Sequence, residues 1–378
     1  MNKNKLSNPV RLIAFFLTAV LLICTFGFTV DGWNLNFGPD SQPPSAISPE
    51  PTPDSTVEKE TQKPDNNPEQ NPGTPEVPEI KYYDRITGLE CSQEVASKAH
   101  LAFVMNSGLP SYGLAAADML CEIPTENGDT RYIAFVSEID NLWKIGSITP
   151  TRGYIDNLIN YFGGICVSNS NDDSMKYSSC DLTGRYLDLS VGGEFQYTEF
   201  TDNVYTNRDL LLSGITNSGI DRTSVQSPTL PYNFVLTDGE KIKYGECGAS
   251  VISVRHSEKS TTELIYNETT GKYTLYKNDS QKLDAINNKT VEFTNCFVLF
   301  ADSVTYDNSS CSQMIMDTVG GGVGYYFSEG GVLKINWVGG NDGSFTFYLE
   351  SGEKLTVNRG KSYIGFMKSS RPENLSYE

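Results

Sequence analysis

Histidine is what this chain has least of: His100 and His256 are the two it carries, far apart in sequence. That scarcity argues against a zinc site or a histidine-based catalytic triad. No C-x-x-C spacing occurs among the cysteines, so neither a metal ribbon nor a redox motif is indicated, and no metal or cofactor is expected. Basic residues are also few, 29 against 47 acidic ones, for a net charge of −18. A surface that acidic repels phosphate backbones and anionic headgroups, so nucleic acid is excluded as a natural partner. The apolar fraction is a modest 38%, but it is unevenly spread, and 378 residues leave room for two ordinary domains plus extras.

Residues 1–30 hold the clearest single feature. Lys3, Lys5 and Arg11 precede an uncharged run, LIAFFLTAVLLICTFGFTV, from Leu12 to Val30. At about 1.5 Å per residue such a helix just spans a hydrocarbon core of about 30 Å. The absence of a small-x-small cleavage site favours an uncleaved signal-anchor over a cleaved signal peptide. Cys24 in LLIC suggests a lipoprotein signal as an alternative, although bulky Ile23 stands where a small residue is wanted. The basic flank keeps the N-terminus cytoplasmic, so the expectation is a single-pass protein of the cell membrane with its head outside. Residues 31–80 contain 11 of the 18 prolines, with ten acidic residues and two lysines. Such a segment forms neither helix nor sheet and swells by self-repulsion. It reads as a disordered tether reaching roughly 40 Å as a coil and about 150 Å if polyproline-like.

Cysteines 91, 121, 166, 180, 247, 296 and 311 fall in the head, an odd number that leaves at least one unpaired. Bridges between Cys296 and Cys311 or between Cys166 and Cys180 are conceivable, and the alternative is that most are small buried hydrophobes.

Two halves are expected in the head, 81–228 and 229–370. In the first, HLAFVMN (100–106), MLCEIPT (119–125), RYIAFVSE (131–138) and GICVS (164–168) read as strands. Asn127-Gly128 between the second and third is a strong hairpin signal. GYIDNLINYFGG (153–164) places Ile155, Leu158, Ile159 and Phe162 on one helical face, with Gly163-Gly164 as a stop. YTNRDLLLSGITNSGI (205–220) reads as a second helix with Thr206 as cap. From about residue 230 nearly everything is strand with glycine-containing turns, the pattern of an antiparallel sheet rather than of crossover units. The fold class is therefore α+β: a mixed α/β N-terminal domain followed by a mainly antiparallel β domain.

The ordered stretches GLAAADMLCEI, ENGDTRYIAF, IGSITPTRGY and NVYTNRDLLL, followed by ETTGKYTLY, GGGVGYYFSEGG and LTVNRGKSYI, resemble the YerB-like family of bacterial envelope proteins over about residues 84–370. That resemblance implies a layered sheet-and-helix sandwich, an envelope location and contact with cell-wall synthesis proteins or wall components. It implies no established catalytic activity. It also implies a site in the N-terminal domain, built from an acidic hairpin, two arginines and a histidine that ends the next strand. Glu122, Glu126, Gly128, Thr130 and Arg131 match the hairpin, and Arg152 matches the second arginine. Thr149 replaces the first arginine, and SNSND (168–172) replaces the histidine and its glycines.

Carboxylates about 5–9 Å apart can share acid–base work, and a guanidinium can hold a carboxylate or phosphate in two hydrogen bonds. The binding candidates are thus Glu122, Glu126, Thr130, Arg131 and Arg152. Three readings stay open: a non-catalytic binding or scaffolding module, an envelope hydrolase using Glu122 or Glu126 with Arg152, and a passive surface protein whose site is eroded. Loss of an arginine and of the imidazole weighs against the hydrolase. The glycine-rich VGGGVGYYF (319–327) reads as a sharp bend between strands. RGKS (359–362) resembles a phosphate loop but has Leu355 where glycine is needed, so it reads as a strand turn. Tyr325, Tyr326, Tyr348 and Tyr363 offer either a carbohydrate or peptide platform or ordinary strand packing.

Overall fold

The structure, a computed structural model, describes residues 80–378 apart from 170–179, 192–194, 199–202, 225–227, 246–247 and 308–311. The expected anchor (1–30), nearly all of the tether (31–80), and Cys247 and Cys311 lie outside the described residues. Among those described, no helix is long and apolar enough to cross a membrane.

A short helix α1 (Gln93–Ala96) leads into strands β1 (Leu101–Asn106), β2 (Met119–Pro124), β3 (Thr130–Val136) and β4 (Ile145–Ile148). Helix α2 (Gly153–Tyr161), β5 (Ile165–Ser168), β6 (Tyr186–Asp188), β7 (Val204–Thr206) and helix α3 (Arg208–Asn217) complete this half. The β2–β3 hairpin forms where expected: Asn127 and Gly128 take φ of 66° and 82°, the left-handed pair that matches the twist of the flanking strands. Two expectations need correction. The cap of α3 is Asn207, whose side chain accepts from Leu210 N at 3.0 Å, whereas Thr206 still belongs to β7 and donates to the Phe195 carbonyl. Cys166 and Cys296 are free thiols, so neither proposed bridge forms. Cys121, Cys166 and Cys296 are buried as small hydrophobes.

The second half supplies β8 (Val251–Arg255), β9 (Thr261–Asn267), β10 (Lys272–Lys277) and β11 (Asn295–Ala301). There follow β12 (Gly320–Ser328), β13 (Gly331–Gly339), β14 (Phe345–Tyr348), β15 (Ser362–Lys368) and β16 (Leu375–Tyr377). The protein is mostly β, with three α-helices among the described residues.

Its 13-stranded main sheet runs β14-β13-β12-β11-β15-β2-β3-β1-β4-β7, ending on the two-residue strand Tyr197–Thr198, with β5 and β6 paired off β1. Strand β15 lies parallel to β11 on one side and to β2 on the other, so the two sequence halves share one sheet. The later half, expected to be mainly antiparallel, is parallel at this seam, where β11 meets β15. Strands β2, β11 and β15 are buried on both faces and read as near-continuous apolar runs, the signature of interior strands.

Alternation along the strands sorts the core. Leu120, Tyr132, Ala134 and Tyr363 face the six-stranded sheet that contains β10-β9-β8-β16, together with Val254, Leu264 and Leu275 from it. Cys121, Ile123, Ile133 and Phe135 face the opposite way and bury with Ile155, Leu158 and Ile159 of α2. The glycines of β12 make no bend: they allow close strand approach inside a regular nine-residue strand. A Cβ on Gly324 would lie 2.7 Å from Leu299 Cδ2, and one on Gly322 would collide with the Phe300 carbonyl. Tyr326 and Tyr363 are 1% and 0% exposed, so the four tyrosines form no surface platform.

Candidate functional site

The β2–β3 hairpin does not gather its candidate residues into one place. Residues 122 and 130 lie in the phase of β2 and β3 that faces the six-stranded sheet, while Arg131 lies in the opposite phase, toward α2.

Glu122 is 0% exposed. Its Oε1 accepts from Thr130 Oγ1 at 2.6 Å and from Lys277 Nζ. Its Oε2 accepts from Thr262 Oγ1 at 2.7 Å and Tyr363 OH at 2.8 Å, with the imidazole of His256 3.7 Å away. The Lys277 ammonium is held further by Ser260 Oγ at 2.7 Å and by the Thr130 and Thr262 hydroxyls, each at 3.1 Å. Burial opposes ionisation of Glu122, but the charges of Lys277 and His256 outweigh it and hold the carboxyl well below the usual carboxylate range. Burial and the Glu122 charge together raise the phenols of Tyr132 and Tyr363 far above normal. This is a closed ion pair joining β2, β3 and β15 of the main sheet to β9 and β10 of the other.

Nearby, Lys282 donates to the Ser107 and Leu109 carbonyls at 2.9 Å each. Burial lowers it to about 8.

On the α2 side Arg131 donates to the Pro150 carbonyl, and Arg152, which caps α2, pairs with Glu126 of the hairpin turn. Burial opposes the charge of Glu126, and the hydrogen bond from Arg152 more than offsets it, leaving the carboxyl below its usual range. Asp156 in the first turn of α2 is fully buried. Its Oδ1 accepts from Thr151 Oγ1 at 2.6 Å and lies 4.0 Å from Cys166 Sγ, while Oδ2 has no hydrogen-bond partner. Burial pushes this carboxyl up to about 7. Thr149 donates its amide to Val104 O, and its own carbonyl accepts from Asn169 N. Ser168 bonds Tyr186 OH at 2.7 Å, and residues 170–172 of SNSND lie outside the described residues.

The candidates therefore fall into two sets. Glu122 and Thr130 are in one cluster; Glu126, Arg131 and Arg152 are in the other. Lys277, Thr262, His256 and Tyr363 were not anticipated. A signal for the lysine was present: Tyr273, Leu275 and Lys277 share the inward phase of β10, and an inward lysine requires a buried anion.

A second cluster lies at the N-terminal end of the described chain. His100, 1% exposed, brings Nε2 to 2.9 Å from Asp84 Oδ2 and 3.5 Å from Asp118 Oδ2. Burial opposes its protonation, and the two aspartates beside it raise it above its ordinary value. Burial likewise opposes ionisation of Asp84, but His100 and Thr87 bring it down to about 2.

Comparison with protein families matches residues 86–221 to the N-terminal domain and residues 252–364 to the C-terminal domain of "Protein of unknown function (DUF3048)". No curated protein matches the chain. Among solved structures, the crystal structure of YerB protein from Bacillus subtilis is similar at a TM-score of 0.66 and 22% identity. The match covers 79% of this chain and 100% of that one, a likeness of fold.

Proposed function

The chain belongs to the YerB-like family of paired DUF3048 N- and C-terminal domains, and from that premise we propose that it is a membrane-tethered extracytoplasmic binding or scaffolding module rather than an envelope hydrolase. The observation that carries this reading is the state of Glu122: 0% exposed, with both oxygens engaged by donors from four strands. A general acid or nucleophile must reach substrate, and this carboxylate reaches none. Its role is to hold the six-stranded sheet onto the main sheet. On the same reading the head is a layered sandwich, the smaller sheet on one face of the main sheet and α2 on the other. Its halves, 81–228 and 229–370, work as one body.

Binding is then assigned to the α2 side, where Glu126 and Arg131, both partly exposed, line a charged edge and the buried Arg152 pairs with Glu126. Such an edge suits carboxylate-bearing wall components or a partner protein of wall synthesis. The uncharged run 12–30 anchors the chain and the proline-rich 31–80 segment sets its distance from the membrane.

Two experiments test this. Protease added to intact protoplasts should digest the head, and Cys24→Ser should leave the chain in the membrane fraction; a protected head or release into the medium would refute the topology. The purified full chain, incubated with cell-wall sacculi, should bind without releasing soluble fragments, and Arg152→Ala should weaken the binding several-fold. Saturable hydrolysis by the wild-type chain would establish the enzyme reading instead.

A further inference from the structure

We propose that Asp84, His100 and Asp118 form a binding site for a divalent transition-metal ion of the zinc class. The three residues come from separate elements. Asp84 opens a tight loop between the paired strands Tyr82–Tyr83 and Glu90–Cys91. His100 immediately precedes β1 and Asp118 immediately precedes β2. One ligand atom from each lies within 4.8 Å of the other two.

Both aspartates are held in place by groups outside the cluster. Asp84 Oδ1 is occupied by the amides of Ile86 and Thr87 and by the Thr87 hydroxyl, at 2.8–3.0 Å, which turns Oδ2 toward His100. Asp118 is fixed through Oδ2 by the amide and hydroxyl of Ser137 at 2.8 and 2.7 Å. The His100 carbonyl accepts from Ile165 N of β5, so the imidazole stands on the floor of the main sheet. Carboxylates oriented by a surrounding shell of donors are the usual support of metal ligands.

Direction matters as much as distance. Asp84 Oδ2 and His100 Nε2 approach to 2.9 Å, yet neither is in an aligned hydrogen bond. Around a tetrahedral ion with bonds of about 2.0–2.1 Å, neighbouring ligand atoms lie ~3.3 Å apart. The observed 2.9 and 3.5 Å separations from Nε2 bracket that value.

Charge balance points the same way. An imidazolium between two carboxylates leaves a net negative charge in a pocket where the side chains are 1%, 7% and 17% exposed. A divalent ion with neutral imidazole and two carboxylates leaves none. Donor type sets the class, since imidazole nitrogen with carboxylate oxygen suits zinc and its first-row neighbours rather than calcium or magnesium. Asp118, the most open of the three, marks the side from which solvent would supply a fourth ligand. The bound ion would pin the 84–89 loop onto β1 and β2.

The test uses the full chain in detergent, stripped with a chelator and then dialysed against Zn2+ or Co2+. After desalting, wild type should retain metal in equimolar amount, with a raised Tm and, for Co2+, visible ligand-field absorption. Asp84→Asn and His100→Gln should each lower retained metal by about tenfold or more, the scale on which even outer-shell changes act. Absence of retained metal and of any Tm shift in wild type would overturn the proposal, and would establish a metal-free imidazolium pair. Wild-type metal content in both variants would overturn it equally. Should His100→Gln fail to fold, Asp118→Asn replaces it, and the Co2+ spectrum of wild type decides by itself whether nitrogen is a ligand.

Discussion

The two faces of the β2–β3 hairpin carry residues adjacent in sequence under opposite physical regimes. Toward the six-stranded sheet, Glu122 has no exposure and every oxygen lone pair it needs is met by Lys277, Thr130, Thr262 and Tyr363. Toward α2, Arg152 pairs with a Glu126 that keeps 21% of its side chain in solvent, and Asp156 is buried with one oxygen unpartnered. The first face is built round a closed Glu122–Lys277 pair, in which removal of either charged member strands the other. The second holds an ion pair whose carboxylate keeps part of its surface in solvent, beside a buried carboxyl. Residues adjacent in sequence are thus separated here by the side of the sheet they face.

Three experiments break or sharpen that contrast. The largest effect is expected for Glu122→Gln, which leaves Lys277 buried without its anion and should cost about 3–5 kcal/mol of unfolding free energy in denaturant titration. Adding Lys277→Met should recover a large part of the loss, since a buried pair replaced by apolar atoms is often neutral. A loss under about 1 kcal/mol for the single variant would show that water reaches the joint. Wild-type stability should carry a pH signature from the same residue. Its folded pKa lies below the unfolded value near 4.5, so the contribution is complete above that pH and drains away as pH falls toward the folded pKa. In Glu122→Gln that component of the acid slope should vanish.

Asp156 works with the opposite sign. Its folded pKa of about 7 exceeds the unfolded value of 3.8, so the folded chain holds the extra proton between them. Stability should therefore fall as pH rises from about 4 to 7, by on the order of 4 kcal/mol, and level off above. Asp156→Asn should flatten that segment of the stability-versus-pH curve. An unchanged slope would mean the carboxyl is solvated.

The smallest effect is expected for Arg152→Ala, about 1 kcal/mol by thermal or chemical unfolding, because Glu126 regains water when its partner goes. A loss as large as that of Glu122→Gln would erase the distinction between the two faces.

Sequence by itself determined the local structure. Asn127-Gly128 set the hairpin because both positions need positive φ, and Gly163-Gly164 stopped α2 after Phe162. The apolar spacing of Ile155, Leu158 and Ile159 chose the face of that helix that joins the apolar core, although the helix is buried nearly all round, and the order of short motifs along the chain matched the YerB-like family. Alternation along β3 already required Thr130 and Arg131 to part, a constraint that grouping them into one site overlooked. Tertiary structure alone decided the partners. Lys277 reaches Glu122 because β15 inserts in parallel between β2 and β11, and because the β8–β10 sheet then folds over that seam. Strand order and sheet stacking are properties of contacts between distant segments, and period-2 patterning records which face is buried without recording what covers it. His100, Asp84 and Asp118 follow the same rule. Each is an ordinary polar residue at the end of an element, and only the sheet that sets those ends side by side makes them a cluster.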